Sequence, residues 1–224
     1  MTPIDKYINE MSSPEPELLK ELTRTTYLKT IHPQMLSGHV QGRLLEMIVR
    51  MIRPRRILEI GTFTGYSTLS MAAGLEADAI IDTIEADDEL ETLIRSHFDR
   101  SPHASQIHLH IGSALKIAPQ LGEVYDLVFV DGDKREYPAY YEMLVNGTGN
   151  PDGRPLVKTG SFILADNILW YGKVADPERH SDPHTRAILE FNRRVLEDPR
   201  LENVILPLRD GINIIRVADI KYVE

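Results

Sequence analysis

The chain has 224 residues, no cysteine, and 34 acidic against 25 basic side chains, giving a net charge of −9. Without cysteine there is no disulfide, no thiolate zinc site and no cysteine nucleophile. The acidic balance argues against bulk nucleic-acid binding, which needs a basic face to neutralise phosphates.

In chain order, the first residues, Met1-Thr2-Pro3-Ile4-Asp5, carry neither the basic nor the apolar region of a secretory signal. No apolar run approaches the ~20 residues that span a bilayer, so a cytoplasmic protein with no membrane partner is expected. Ser12-Ser13-Pro14-Glu15-Pro16-Glu17 reads as a helix start, with serine caps and acids in the first turn, and that helix should run to about Thr30. Leu36, Val40, Leu44, Leu45, Ile48 and Met51 recur at helical spacing over 35–52. Beyond them, short apolar strands at 56–60, 80–85, 107–111, 126–130 and 161–165 alternate with helices at 67–75, 88–100, 114–121, 137–144 and 185–197. Such alternation builds right-handed βαβ units and a doubly wound, mostly parallel α/β sheet. The end breaks the rhythm. Runs at 203–208 and 212–217 flank Arg209-Asp210-Gly211, and Asp-Gly between two β runs predicts a closing antiparallel hairpin. Two polar, irregular stretches, 146–158 and 171–183, are candidate lid or specificity loops near the strand ends of the site, the first as readily an ordinary surface insertion.

In such a sheet, ligands lie beyond the carboxyl ends of the strands. The first strand runs through Glu59 into Gly61-Thr62-Phe63-Thr64-Gly65 and then a helix opened by Ser67 and Thr68. A dinucleotide turn would need glycine where Phe63 stands, so the pattern suits a nucleoside without phosphates better than NAD. The bland alternative is a plain tight turn. Glu85 ends the second strand, where an acid can accept from both ribose hydroxyls, and Gly112-Ser113-Ala114 ends the third, beside an adenine. Asp131 ends the fourth strand and Asp166-Asn167 the fifth, so two carboxylates and an amide oxygen meet at one rim. Oxygen ligands without cysteine or clustered histidine favour Mg²⁺, Mn²⁺ or Ca²⁺ over zinc. Taken singly, each is as easily a turn or capping residue. Lys134 follows closely and would suit a general base beside a cation; its plainer role is a surface lysine paired with Asp133 or Glu136. His180 and His184 sit in a proline-containing loop and read as solvated, while Trp170 either walls an aromatic substrate or fills core.

The runs Glu59–Ser67, Val130-Asp131-Gly132-Asp133-Lys134, Asp166-Asn167-Ile168-Leu169-Trp170 and Asp210-Gly211-Ile212 together resemble the cation-dependent O-methyltransferases, which include caffeoyl-CoA and catechol O-methyltransferases and bacterial relatives. The resemblance spans about Met35 to Val217. It implies a Rossmann-like class I methyltransferase with a seven-stranded sheet, one domain over 1–224 with a helical cap at 1–52 and the core at 53–224, and a homodimer. It implies S-adenosyl-L-methionine at Met35, Glu59, Gly61, Thr62, Ser67, Glu85, Ala114 and Asp131, with Ser113 standing where many relatives have aspartate. It implies a divalent cation, Mg²⁺ first, on Asp131, Asp166 and Asn167, and Lys134 as catalytic base with Asp131. Tyr171 replaces an asparagine of the plant enzymes, and 146–158 looks longer than usual. The expected acceptor is a hydroxylated aromatic small molecule with adjacent hydroxyls. The alternatives are a tRNA hydroxyuridine acceptor, served by a basic patch of Lys29, Arg43, Arg53, Arg55 and Arg56, and a non-catalytic nucleotide-binding module.

Overall fold

In the computed structural model the protein is described over residues 2–219. Five apolar runs form the parallel strands β1 (Arg56–Ile60), β2 (Ile80–Glu85), β3 (Ile107–Ile111), β4 (Tyr125–Val130) and β5 (Val157–Asp166). The last two, β6 (Leu201–Leu206) and β7 (Ile212–Val217), close the sheet antiparallel, in the order β3-β2-β1-β4-β5-β7-β6. This is the expected doubly wound sheet with its closing hairpin.

The helices are α1 (Pro3–Met11), α2 (Glu17–Lys29), α3 (His39–Ile52), α4 (Tyr66–Ala72), α5 (Glu91–Phe98), α6 (Ala114–Ile117), α7 (Tyr137–Asn146) and α8 (Pro183–Glu197). Successive side chains of a strand point to opposite faces, and each face has its own core. Leu58, Val128 and Val130 join Tyr137, Leu144 and Phe191 of α7 and α8. Ile57, Leu127 and Phe129 join Leu22, Leu45 and Tyr66 of α2, α3 and α4. With both faces covered, the central strands must be apolar along nearly their whole length.

Several boundaries differ from the sequence reading, each for a local reason. Thr2 and Asp5 form a capping box that starts α1, a helix the sequence reading did not assign; none of its residues is buried. The serines do not cap α2: Ser12 ends α1, and Pro16 precedes Glu17 with no side-chain cap. The run 35–52 is not one helix, because Gly38 at φ +76° breaks it between a short 3₁₀ turn ending at Met35 and α3. Strand β5 starts four residues earlier than its apolar stretch, its polar beginning held where Lys158 N donates to Ser161 Oγ and Ser161 Oγ donates to Tyr125 O. The stretch 146–158 therefore feeds the start of β5, at the rim opposite the strand ends that carry Asp131 and Asp166, and is not beside the site. The hairpin connection is longer than an Asp-Gly turn, since Leu206 pairs with Ile212 and 207–211 form the loop, with Arg209 and Gly211 at positive φ.

Candidate active site

Register builds the site before any side chain does. Ile60 pairs with Ile84 on one side and Val130 on the other, and Val130 pairs with Ala165. The next step in every strand sets Glu85, Gly61, Asp131 and Asp166 in one row along the carboxyl rim. Gly61 makes the row tight: at φ +97°, a Cβ there would stand 2.5 Å from the carbonyl oxygen of Asp131. Gly112 N donates to Glu85 O at 2.7 Å, bringing Ser113 and Ala114 alongside.

On the glycine-turn side, Glu59 is fully buried and its Oε2 accepts from the hydroxyls of Thr83, at 2.6 Å, and of Thr68. Its Oε1 is buried without a partner, a site for a ligand donor. Burial, with the Asp131 charge adding to it, pushes this carboxyl up to about 7 against these hydrogen bonds. Thr62 shares a 2.6 Å hydrogen bond with Thr83. Glu85 accepts from Phe63 N at 2.6 Å on Oε2 and from Asp87 N at 2.9 Å on Oε1, and burial raises its pKa. Each oxygen keeps one lone pair, so a diol such as a ribose can still be held.

The charge of Glu59 has a consequence for stability. Below about pH 4.5 the carboxyl is protonated folded or unfolded; between 4.5 and 7 only the folded state stays protonated, and above about 7 the full burial cost is present. Glu59→Gln is expected to stabilise the cofactor-free protein by up to about 3 kcal/mol at pH 8 and by much less at pH 5, raising the melting temperature accordingly, while weakening binding of the expected nucleoside cofactor. Melting curves at the two pH values and calorimetric titration check both; equal shifts at pH 5 and pH 8 would reject the charge argument.

On the acidic side, Lys134 Nζ donates to Asp131 Oδ1 at 2.6 Å and to Gly132 O at 3.2 Å, and lies 5.1 Å from the Tyr137 ring centre. Lys134 is buried, not a surface lysine: Asp133 is bound by Arg135, and Glu136 accepts from Tyr140. Asp166 is 4% exposed, and burial, then the charge of Asp131, raises it to about 6. Its Oδ1 accepts from Asn167 N at 2.8 Å and its Oδ2 from Gln41 Nε2 at 2.5 Å. Asn167 itself takes a left-handed φ of 57°, which Asn tolerates. Among the described residues no three His, Cys, Asp or Glu side chains gather as a metal nest. The donor set here is two carboxylates and one amide. Two neighbouring carboxylates, with the charge of Asp131 helping to raise Asp166, and one amide are all hard oxygen and fit a hard divalent cation.

Sequence reasoning missed several supports. Tyr137 donates to Val130 O at 3.0 Å and Asp166 O at 2.8 Å, tying the ends of β4 and β5. Asp210 Oδ1 accepts from Tyr171 N at 2.6 Å, and Arg209 donates to the carbonyls of Leu36, at 2.6 Å, and Ser37. Met35, next to that clamp, is 53% exposed. Trp170 packs against the core and stacks on His184 at 5.3 Å, with its Nε1 buried and unpartnered. His180 is half-buried, and His184, stacked on one face, keeps 40% of its side chain in solvent. Trp170 and Tyr171 hold positive φ, a strained bend beside Asn167.

A family model described as O-methyltransferase matches residues 9–218. Caffeoyl-CoA O-methyltransferase 5 of Nicotiana tabacum is 33% identical, over 90% of this chain and 85% of that protein. Two solved structures superpose with TM-scores of 0.85 at 27% identity: a Podospora anserina methyltransferase bound to S-adenosylhomocysteine, covering 96% of this chain and 94% of that one, and an O-methyltransferase of tomaymycin synthesis from Streptomyces achromogenes bound to S-adenosylmethionine, covering 96% of each. A seven-stranded sheet closed by an antiparallel hairpin, an acid-and-glycine rim and full-length likeness to these enzymes agree: the chain belongs to the O-methyltransferase family.

Proposed function

We propose that the chain moves the methyl group of S-adenosylmethionine onto one hydroxyl of a small aromatic molecule with two adjacent hydroxyls. The observation that carries this reading is the single register row of Glu85, Gly61, Asp131 and Asp166 with Lys134 drawn into it. The cofactor is assigned to Met35, Glu59, Gly61, Thr62, Ser67, Glu85, Ser113, Ala114 and Asp131. Asp131, Asp166 and Asn167 would hold a divalent cation, Mg²⁺ before Mn²⁺ or Ca²⁺. When bound, such a cation supplies Lewis acidity that lowers the pKa of a chelated hydroxyl.

The chain's own residues do the rest. Lys134, held within reach by Asp131, takes the proton of the acceptor hydroxyl. Glu85 orients the nucleoside, and Glu59 with its threonines fixes the turn under the amino-acid end. The acceptor oxygen attacks the sulfonium methyl carbon, the carbon–sulfur bond breaks, and S-adenosylhomocysteine leaves. Holding both reactants at attack distance removes roughly 7–11 kcal/mol of barrier. Nothing favours a tRNA acceptor, since Arg43, Arg53, Arg55 and Arg56 are each paired with a carboxylate. A homodimer belongs to the same proposal, and the exposed Ile4, Tyr7, Ile8 and Met11 of α1 are apolar surface it would cover. Among the described residues no helix is long and apolar enough to cross a membrane.

The test is mass-spectrometric detection of methyl transfer to catechols and caffeoyl compounds, with Mg²⁺ and with EDTA. One methyl added to vicinal diols, and lost in EDTA, is the expected result. Full transfer in excess EDTA would remove the cation; cofactor binding without transfer to any diol would remove the acceptor class.

A further inference from the structure

Gln41 lies in the first turn of α3, 1% exposed, and reaches across 125 residues of sequence to Asp166. Its approach is arranged by the helix. A Cβ on the neighbouring Gly42 would stand 2.6 Å from Ser70 Oγ and 2.7 Å from Tyr66 Cε1, so only glycine lets α3 lie this close to α4. The chain ahead of α3 is clamped by Arg209 on the carbonyls of Leu36 and Ser37.

The two ends of the Gln41 amide are treated differently. Nε2 donates to Asp166 Oδ2 at 2.5 Å, while Oε1 is buried with no hydrogen-bond partner. The amide cannot be turned over, because Oε1 would then face a carboxylate oxygen. A buried acceptor left unmade costs stability, and an apolar side chain of the same volume would avoid that cost while taking the donor from Asp166 Oδ2, two effects of opposite sign. With Asn167 N on Oδ1 and Gln41 on Oδ2, each oxygen of Asp166 accepts one N–H, which fixes the carboxylate plane and leaves one lone pair per oxygen.

We infer that Gln41 is a positioning residue, retained to aim Asp166 at a divalent cation and not to stabilise the fold. This rests on the reading of Asp166 as a cation ligand. It extends the site to the helical cap, which no ligand residue of the acidic cluster occupies.

The experiment is Mn²⁺ titration of the wild type and Gln41→Met by electron paramagnetic resonance, alongside melting curves without metal. Gln41→Met is expected to weaken Mn²⁺ binding by about 10–100-fold, the range found when partners of ligands are removed, with a little-changed melting temperature and unaltered S-adenosylhomocysteine affinity. Gln41→Asn keeps the amide but draws it back by one methylene, and is expected to weaken Mn²⁺ likewise. Wild-type Mn²⁺ affinity in both variants overturns the inference, as does a fall in melting temperature that tracks the loss of binding. A wild type that binds no Mn²⁺ overturns the cation reading itself, a failure distinct from the first.

Discussion

Asp166→Ala is expected to lower methyl transfer by about a hundredfold or more while the protein still folds and still binds S-adenosylhomocysteine. The fold should survive because Tyr137 ties β4 to β5 through the backbone oxygen of Asp166, not its side chain. Without a cation to balance it, the carboxylate is a burden on the fold. Burial and the neighbouring Asp131 charge raise it to about 6, so it is ionised at pH 7 against its surroundings. Its removal relieves that repulsion and leaves Gln41 Nε2 without an acceptor, two effects of opposite sign. The melting temperature should therefore move little. Initial rates under saturating cofactor and Mg²⁺, with a melting curve on the same sample, check the pair of statements. A variant that retains more than a tenth of the wild-type rate would show that Asp166 is not needed for transfer.

Gly61→Ala is expected to be the most damaging single methyl group that can be added at the rim. At φ +97° an alanine already sits in a region that L residues avoid. Its Cβ would also stand 2.5 Å from Asp131 O, 2.7 Å from Asp131 C and 3.0 Å from Gly132 N, all backbone atoms. The ends of β1 and β4 must then part, which separates the glycine turn from Asp131. Gly160→Ala supplies the control, since Gly160 has φ +91° and nothing within 4 Å of the added carbon. The control should lose about 1 kcal/mol, the backbone strain alone. Gly61→Ala should lose about 3 kcal/mol or more, lowering the melting temperature by roughly 6–12 °C in a domain of this size, and should lose cofactor binding. Equal melting temperatures for the two variants would show that β1 and β4 part without cost.

The strands were legible where physics is local. β1, β2, β3 and β7 fall on the residues read from sequence, because each is an apolar run bounded by proline, glycine or charge. Helix ends were less legible. Pro16 opens α2 without any side-chain cap, and Gly38 breaks a spacing pattern that looked continuous. In the candidate site, Glu59, Glu85, Asp131 and Asp166 could be found because strand ends of a parallel sheet share a rim. Gln41, Tyr137 and Arg209 could not be found that way. Their partners lie far along the chain or are backbone oxygens, and neither leaves a mark on residue spacing. The stretch 146–158 was misplaced for a related reason. Composition shows that a loop exists, but only the direction of β5 shows which rim it serves.

The hairpin loop carries one consequence for how the protein comes into being. Arg209 closes on the carbonyls of Leu36 and Ser37, Gly211 O and Asp210 O accept from Ile168 N and Leu169 N, and β7 inserts between β5 and β6. A chain emerging from the ribosome can assemble β1 to β4 and their helices as they appear. The clamp between residues 34–37 and 167–171 runs through loop 207–211, so it forms only after both partners and the hairpin have been made. That clamp is therefore a late contact, completed after the Gln41–Asp166 hydrogen bond, whose two partners both precede the hairpin in the chain.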